Sequence, residues 1–391
     1  MHVVIIFYNI GGYHAARLRA AYNACQEKGW NFTAVQVTDN TQEHPWGELQ
    51  DEITFPLKTL LPVATTLTPT YRNQKSTKAL LYSCLNDLQP NIIVIPGWGF
   101  AISRAALSWC QRYRVPAILM SESKWDDERR QWWKEQLKSW LYVRKFNAAI
   151  VGGELHRDYL VKLGFPHERI FIGYDVVDNE YFAQSAETAR GTPLAARKRQ
   201  PQIPEQPYFI AVTRLIKRKN VWRLVEAFAD YRQYIGADQS WDLVICGSGE
   251  EEPGIRNFII EKRLTNSIHL PGFITYQSIG DWYGLANAFV HPALQEQWGL
   301  VVNEACAAGL PILCSRTVGA CHKLVRHAHN GLVFDPESIP DITQALLAIH
   351  QLDFNARMRM GELSRRIVAD YGVPKFAKGV IDAVKLTIIQ T

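Results

Sequence analysis

Two glutamates eight residues apart, Glu296 and Glu304, stand at either end of Glu-Gln-Trp-Gly-Leu-Val-Val-Asn-Glu. The apolar positions Val301, Val302, Ala305 and Ala308, closed by Gly309, have helical spacing. Glu296 is therefore expected in the loop before a helix and Glu304 on the helix itself, so that one bound ligand could be met from two sides. Carboxylates accept paired hydrogen bonds from vicinal hydroxyls, and a sugar and a ribose both offer them. The backbone at Trp298, Gly299 and Leu300 falls where a helix start leaves N–H groups unsatisfied, giving donors for hydroxyls or phosphate. Two glutamates at a helix start also simply favour its dipole.

A second group is cationic. Arg214, Lys217, Arg218 and Lys219 crowd the connection between the apolar stretch 208–212 and the helical pattern that begins at Val221. At the C-terminal edge of a parallel sheet such a loop faces the crevice where ligands bind, and Arg214 and Lys219 suit a pyrophosphate clamp. The alternative is a solvated basic loop. A third candidate is Gly11-Gly12, directly after the first apolar stretch and before Ala15-Ala16-Arg17-Leu18. There glycine allows close backbone approach to a diphosphate at a helix N-terminus, or merely a tight turn that packs helix on sheet.

Apolar runs of strand length must position these groups. They recur at 3–7, 32–37, 91–95, 116–120, 148–151 and 169–172, and again at 208–212, 241–246, 267–270, 288–290, 311–314 and 331–334, with helical segments between. That alternation predicts an α/β fold of two doubly wound parallel sheets in tandem. The length of 391 residues also exceeds what one core usually organises. The expected division is an N-terminal domain over 1–185, a Pro-, Arg- and Gln-rich exposed connection over 186–207, and a C-terminal domain over 208–372. Residues 360–389 read as two helices broken near Gly372-Val-Pro374.

Hydrophobic residues at 47% and charged residues at 21% exclude a disordered or collagen-like chain. A net charge of +5 fits an anionic small molecule or anionic lipid as readily as nucleic acid. The seven cysteines are scattered without a Cys-x2-Cys pair, against a disulfide framework or structural zinc, so a reducing cytoplasm is expected. Met1 and His2 lead into a short apolar strand rather than a signal peptide, and no apolar run reaches the ~18 residues that span a bilayer, which leaves peripheral contact as the only membrane association expected.

Five blocks carry a family resemblance: Arg214-Leu-x3-Lys219, Cys246-Gly-Ser-Gly249-Glu250, Leu270-Pro-Gly-Phe273, Glu296-x-Trp-Gly-Leu-x3-Glu304-Ala and Ala308-Gly-Leu-Pro311. In order and spacing the chain resembles the retaining GT-B glycosyltransferases of the family 4 type, the glycosyl transferases group 1. The resemblance implies two Rossmann-like domains facing across a cleft, with the last helix, about 373–391, completing the N-terminal one. It implies a nucleotide-diphosphate-sugar donor, a hydroxyl acceptor (a glycan, a lipid-linked group or a small molecule), and retention of anomeric configuration. Carried over, Arg214 and Lys219 bind the diphosphate, Glu296 and the amides after Trp298 the transferred sugar, Glu304 the ribose, and Gly12 the phosphates from the other domain. Glu296, Arg214 and Lys219 are the residues nearest the chemistry. The chain contains no Asp-x-Asp, which agrees with a reaction that uses no metal and no cofactor.

The match departs at two places. Val318-Gly319-Ala320-Cys321-His322-Lys323 replaces the family's Gly-Gly-x-x-Glu element, and Ser121-Glu122-Ser123-Lys124 stands where many members carry a histidine. Glu122 is a candidate on the acceptor side, or else a cap or a partner of Lys124. Trp98, in Gly97-Trp-Gly-Phe100, is a second acceptor candidate. Residues 125–146 hold Trp125, Trp132, Trp133, Trp140 and Tyr142 among many charges. Positions 133, 137, 140 and 141 make an apolar helix face that either packs on its own sheet or serves as an interfacial helix or aromatic platform. His322, His327 and His329 match no zinc spacing. Competing readings are a catalytically idle GT-B protein that binds a glycan or partner, a GT-B sugar-nucleotide epimerase or phosphorylase-like enzyme, and an NAD-dependent oxidoreductase, although Gly11-Gly12 lacks the full Gly-x-Gly-x-x-Gly fingerprint.

Overall fold

The computed structural model describes residues 1–39, 52–62 and 74–389. The chain forms two compact units, one of Met1–Asp178 with Gly372–Thr391 and the other of Asn179–Tyr371.

Among the described residues the first unit carries a seven-stranded parallel sheet: β1 His2–Phe7, β2 Asn31–Thr38, β3 Leu57–Leu61, β4 Ile92–Pro96, β5 Ala117–Ser121, β6 Ala148–Val151 and β7 Ile170–Ile172. Its order is β3-β2-β1-β4-β5-β6-β7. Val3 pairs with Phe32 on one side and with Ile92 on the other, so β1 is central. The run Val3 to Phe7 is buried on both faces, which is why it reads as continuous rather than alternating hydrophobicity. β3 is missing from the expected strands. It is the edge strand, only partly buried, and Lys58 and Thr59 interrupt its apolar run. The final helix, Val373–Ile389, groups with this sheet.

The second unit repeats the plan with β8 Tyr208–Val212, β9 Asp242–Cys246, β10 Ile268–Gly272, β11 Ala288–His291, β12 Ile312–Ser315 and β13 Gly331–Phe334, in the order β10-β9-β8-β11-β12-β13. Phe209 pairs with both Leu243 and Ala288. In each unit the strand order turns back on itself beside the first strand, between β1 and β4 and between β8 and β11. Open α/β sheets bind ligands at the carboxyl ends of the strands flanking such a point.

Two expectations need correction. Residues 186–207 are not simply an exposed connection: helices Asn179–Gly191 and Pro193–Arg199 occupy much of the stretch within the second unit, with Ala186, Ala189 and Ala196 buried. They pack on the helix Ile279–Leu285, where a Cβ on Gly284 would lie 2.5 Å from Ala186 O and one on Gly280 2.3 Å from Ser185 Cβ. Two glycines four residues apart thus let two helix backbones meet, a signal that composition hides. The second correction concerns the helix Trp132–Leu141, whose tryptophans do not pack on the sheet: its buried residues are Glu135 and Ser139.

Candidate functional site

The basic loop leaves β8 at the switch point of the second sheet. Thr213 N donates to Cys246 O at 2.9 Å and Leu215 N to Ser248 O at 2.9 Å, so the loops after β8 and β9 run backbone against backbone. A Cβ on Gly247 would fall 1.9 Å from Thr213 O and one on Gly249 2.3 Å from Leu215 O. The glycines of Cys246-Gly-Ser-Gly249 therefore leave room for the basic loop. Asn220, in the left-handed region at φ 62°, starts the helix Val221–Ile235. Its side-chain amide donates to Pro292 O at 3.0 Å and Pro336 O at 2.7 Å, tying together the loops after β8, β11 and β13. Leu294 N donates to Arg218 O at 2.9 Å. These bonds bring the basic loop against the glutamate loop.

Lys219 and Glu296 consequently form an ion pair, with both side chains nearly buried. His291, the last residue of β11, is fully buried and lies with Nε2 3.4 Å from the same Glu296 oxygen. Neither His291 ring nitrogen has a hydrogen-bond partner among the described residues. Burial, then the Lys219 charge, holds this imidazole well below its ordinary range, so the ring is neutral. Burial, then Arg218 and Arg214, pulls the Lys219 ammonium from its usual 10.5 to about 7. The Glu296 carboxylate opposes that pull. Arg214 is lowered by burial and by Arg218 but keeps its charge at neutral pH. Lys219 thus meets one carboxylate beside a neutral imidazole while the Arg218 and Arg214 charges bear on it, which leaves excess positive charge for an anion.

Gly299, at φ 97°, opens the helix Leu300–Ala307. A Cβ there would press on Val318 Cγ1 at 3.1 Å and Glu296 Cγ at 3.2 Å, so glycine keeps the backbone close to the carboxylate. Gly319 has a parallel duty: its Cβ would meet Gln297 O at 1.9 Å, and Ala320 N donates to Trp298 O at 2.9 Å. The altered element at 318–323 still supports the glutamate loop from behind. The Trp298 indole is turned inward, donating to Asn303 Oδ1 at 2.8 Å, which leaves the backbone around it as the surface a ligand could use. Glu304 is buried and accepts from the Tyr283 hydroxyl at 2.8 Å. The structure joins Glu296 to the basic loop and holds Glu304 on Tyr283.

In the first unit, Gly12 begins the helix Gly12–Glu27, and Gly11 N donates to His14 Nδ1 at 3.1 Å, so one orphan amide of the glycine turn is already taken by a side chain. Trp98 follows β4, with Lys138 Nζ 5.8 Å from its ring centre. Glu122 follows β5. Lys124 pairs with Asp126 at 2.8 Å, not with Glu122. The charge that bears on Glu122's surroundings is Asp175, fully buried, whose carboxyl is driven well above its ordinary range by burial, then by Glu122, against the pull of Arg17.

His291, Asn220, Tyr283 and Asp175 escape a reading of motifs. His291 leaves a trace, since a polar residue closes an otherwise apolar buried strand. The others become visible only when distant loops meet. A groove of about 600 Å³ along the edge strand β10, lined by Ile203, Arg256, Ile259 and His269 among others, involves none of the candidate residues. No group of His, Cys, Asp and Glu among the described residues could hold a metal ion.

Residues 195–367 match the family model of glycosyl transferases group 1. The chain is 30% identical over 172 residues to an alpha-monoglucosyldiacylglycerol synthase of Acholeplasma laidlawii, covering 44% of this chain and 40% of that one. It is 26% identical over 200 residues to a GDP-mannose-dependent alpha-(1-6)-phosphatidylinositol monomannoside mannosyltransferase of Mycobacterium tuberculosis, covering 48% of this chain and 51% of the relative. These matches span about half or less of either protein. Solved structures are similar over the whole chain. An Anabaena protein in complex with UDP-glucose superposes with a TM-score of 0.74 at 15% identity, covering 98% of this chain and 99% of that one. Sucrose-phosphate synthase from Thermosynechococcus elongatus does so with a TM-score of 0.75 at 16% identity, covering 100% of both. At such identities the likeness shows the fold, two Rossmann-like layers of GT-B type.

Proposed function

We propose, from the match of residues 195–367 to the family model of glycosyl transferases group 1 and from the geometry around Glu296, that the chain transfers a sugar from a nucleoside-diphosphate sugar to a hydroxyl acceptor, with retention of configuration and without a metal. The observation that carries the proposal is the ion pair of Lys219 with Glu296 at the switch point of the second sheet, with the charges of Arg218 and Arg214 bearing on Lys219. Fixed cations at the carboxyl edge of β8 suit a diphosphate. A carboxylate in contact with one of them suits the hydroxyls of the sugar that the diphosphate carries.

The chemistry follows from where charge develops. As the bond between the anomeric carbon and the diphosphate oxygen lengthens, the diphosphate gains negative charge, and Arg214 and Lys219 neutralise it without rearrangement. The acceptor hydroxyl attacks from the face the diphosphate leaves, and the departing phosphate oxygen takes its proton. Configuration is retained, and no protein nucleophile is required. Glu296, held by Lys219, orients the sugar and bears on the positive charge at the anomeric carbon. Glu304 takes the ribose hydroxyls. Two named proteins support the donor class: the mycobacterial relative is named for GDP-mannose and the Anabaena structure contains UDP-glucose.

Thermal-shift measurement against a panel of nucleoside-diphosphate sugars, with and without EDTA, tests the reading. Stabilisation by at least one donor, lost in Arg214→Ala and unaffected by EDTA, is expected, followed by slow hydrolysis of that donor. Stabilisation without hydrolysis or transfer would leave a catalytically idle binding protein, and no stabilisation would remove the donor site.

A further inference from the structure

The helix Trp132–Leu141 is fastened by its polar side. Glu135 lies inside, bound by Lys138 at 2.8 Å and 3.0 Å and by the Tyr159 hydroxyl at 2.5 Å, with Arg130 at 3.6 Å. Ser139 donates to Leu163 O and accepts from Arg144 Nε at 3.1 Å. With its underside committed to this network, the helix turns its apolar side to solvent: Trp132 is 75% exposed, Trp140 70%, Trp133 51% and Leu137 49%. Positions 133, 137 and 140 are i, i+4 and i+7, and 132 and 140 flank the same side, so these side chains form one face. Single exposed apolar residues need no explanation, but several on one helix do.

The exposed charge on the helix and the turn after it has one sign. From 131 to 145 the exposed charged residues are Lys134, Arg144 and Lys145, while Glu135 is buried and paired. Just before the helix, Asp126 and Glu128 are held by Lys124 at 2.8 Å and Arg130 at 2.7 Å. Trp125, shortly before the helix, is also exposed, with Lys162 Nζ 4.7 Å from its ring centre. Indoles suit the boundary between acyl chains and headgroups, and Lys and Arg suit anionic headgroups. No described helix is long and apolar enough to cross a membrane, so the fit is to a helix lying in the interface.

We propose that this face docks the protein on the surface of a bilayer containing anionic phospholipid, with Trp132, Trp133, Leu137 and Trp140 inserted at headgroup depth and Lys134 and Lys145 against the lipid charge. The assignment rests on the first unit alone and is independent of the donor chemistry.

Flotation of the full chain with vesicles of phosphatidylcholine, with and without phosphatidylglycerol, tests it, together with indole fluorescence and sedimentation velocity without lipid. The protein is expected to float with the anionic vesicles, with a blue-shifted emission, and W132Q/W140Q to lose at least about tenfold in partitioning at unchanged melting temperature. K134E/K145E, which keeps every indole, is expected to weaken binding at least about thirtyfold, since each basic residue near an anionic surface is worth about 1 kcal/mol and two are lost. Failure to float with anionic vesicles overturns the proposal, as does flotation that survives W132Q/W140Q. A concentration-dependent dimer abolished by W132Q/W140Q, in a protein that ignores vesicles, would make a second copy the occupant and equally overturn it.

Discussion

The Lys219 ammonium rests on the Glu296 carboxylate, and the two side chains are 10% and 13% exposed. Removing one partner of a buried pair leaves the other uncompensated, typically at a cost of about 3–5 kcal/mol. Glu296→Ala is therefore expected to lower stability in urea by an amount of that order, whereas Glu296→Gln, which keeps an acceptor oxygen for Lys219, costs less. Both lose turnover, because neither places a negative charge beside the anomeric carbon. Equal stability of wild type and Glu296→Ala would show that the pair does not persist in solution.

Lys219 also makes donor binding pH-dependent. Its folded pKa of about 7 lies below the ordinary 10.5 because burial, Arg218 and Arg214 disfavour the ammonium. Above pH 7 a fraction of the free protein lacks this proton, and a bound diphosphate raises the pKa again, so binding takes a proton up. Affinity is expected to fall as pH rises from about 7. In calorimetry at pH 8 the apparent enthalpy should vary with the ionisation enthalpy of the buffer. Lys219→Met should abolish that variation, and a wild type whose enthalpy ignores the buffer would mean that Lys219 is already protonated when free.

How much of this was legible depends on what each residue must satisfy locally. The strands of both sheets are readable because burial on both faces leaves continuous apolar runs, as in Val3 to Phe7 and Tyr208 to Ala211. β3 is not, because an edge strand tolerates Lys58 and Thr59. Arg214, Lys219 and Glu296 stand out as unusual residues in loops between clear elements. The contact of Lys219 with Glu296 does not, since it depends on Asn220 bonding to Pro292 and Pro336, far away in sequence. The helix Trp132–Leu141 defeats the usual rule for a physical reason: the Glu135 network outweighs burial of its tryptophans, so periodicity finds the apolar face but not the direction it points.

Glu304 is buried and accepts the Tyr283 hydroxyl at 2.8 Å. If it clamps a ribose, its effect is confined to ligands that have one. Glu304→Ala is expected to weaken binding of a nucleoside diphosphate while leaving inorganic diphosphate unchanged. Tyr283→Phe, which removes one hydrogen bond that orients the carboxylate, should show the same selectivity at about 1 kcal/mol, roughly fivefold. Equal losses for both ligands in isothermal titration would instead give Glu304 a structural duty alone.

Asp175 offers a test in the first unit. Gly152 makes room for it, since a Cβ there would fall 2.0 Å from Asp175 Oδ2, and the Glu122 side chain lies within hydrogen-bonding reach. Burial, then Glu122, raises its pKa well above 3.8, so the folded chain keeps a proton that the unfolded chain releases above about pH 4. Because the folded state then binds more protons, this group's contribution to stability falls as pH rises from about 4 toward the raised value, by about 1.4 kcal/mol per pH unit for one full proton. Asp175→Asn removes the titration at nearly constant shape. The variant is expected to match the wild type near pH 4 and to gain on it progressively in thermal melts at higher pH. A difference that does not change with pH would mean that Asp175 is ionised in the folded protein, its charge held by Arg17.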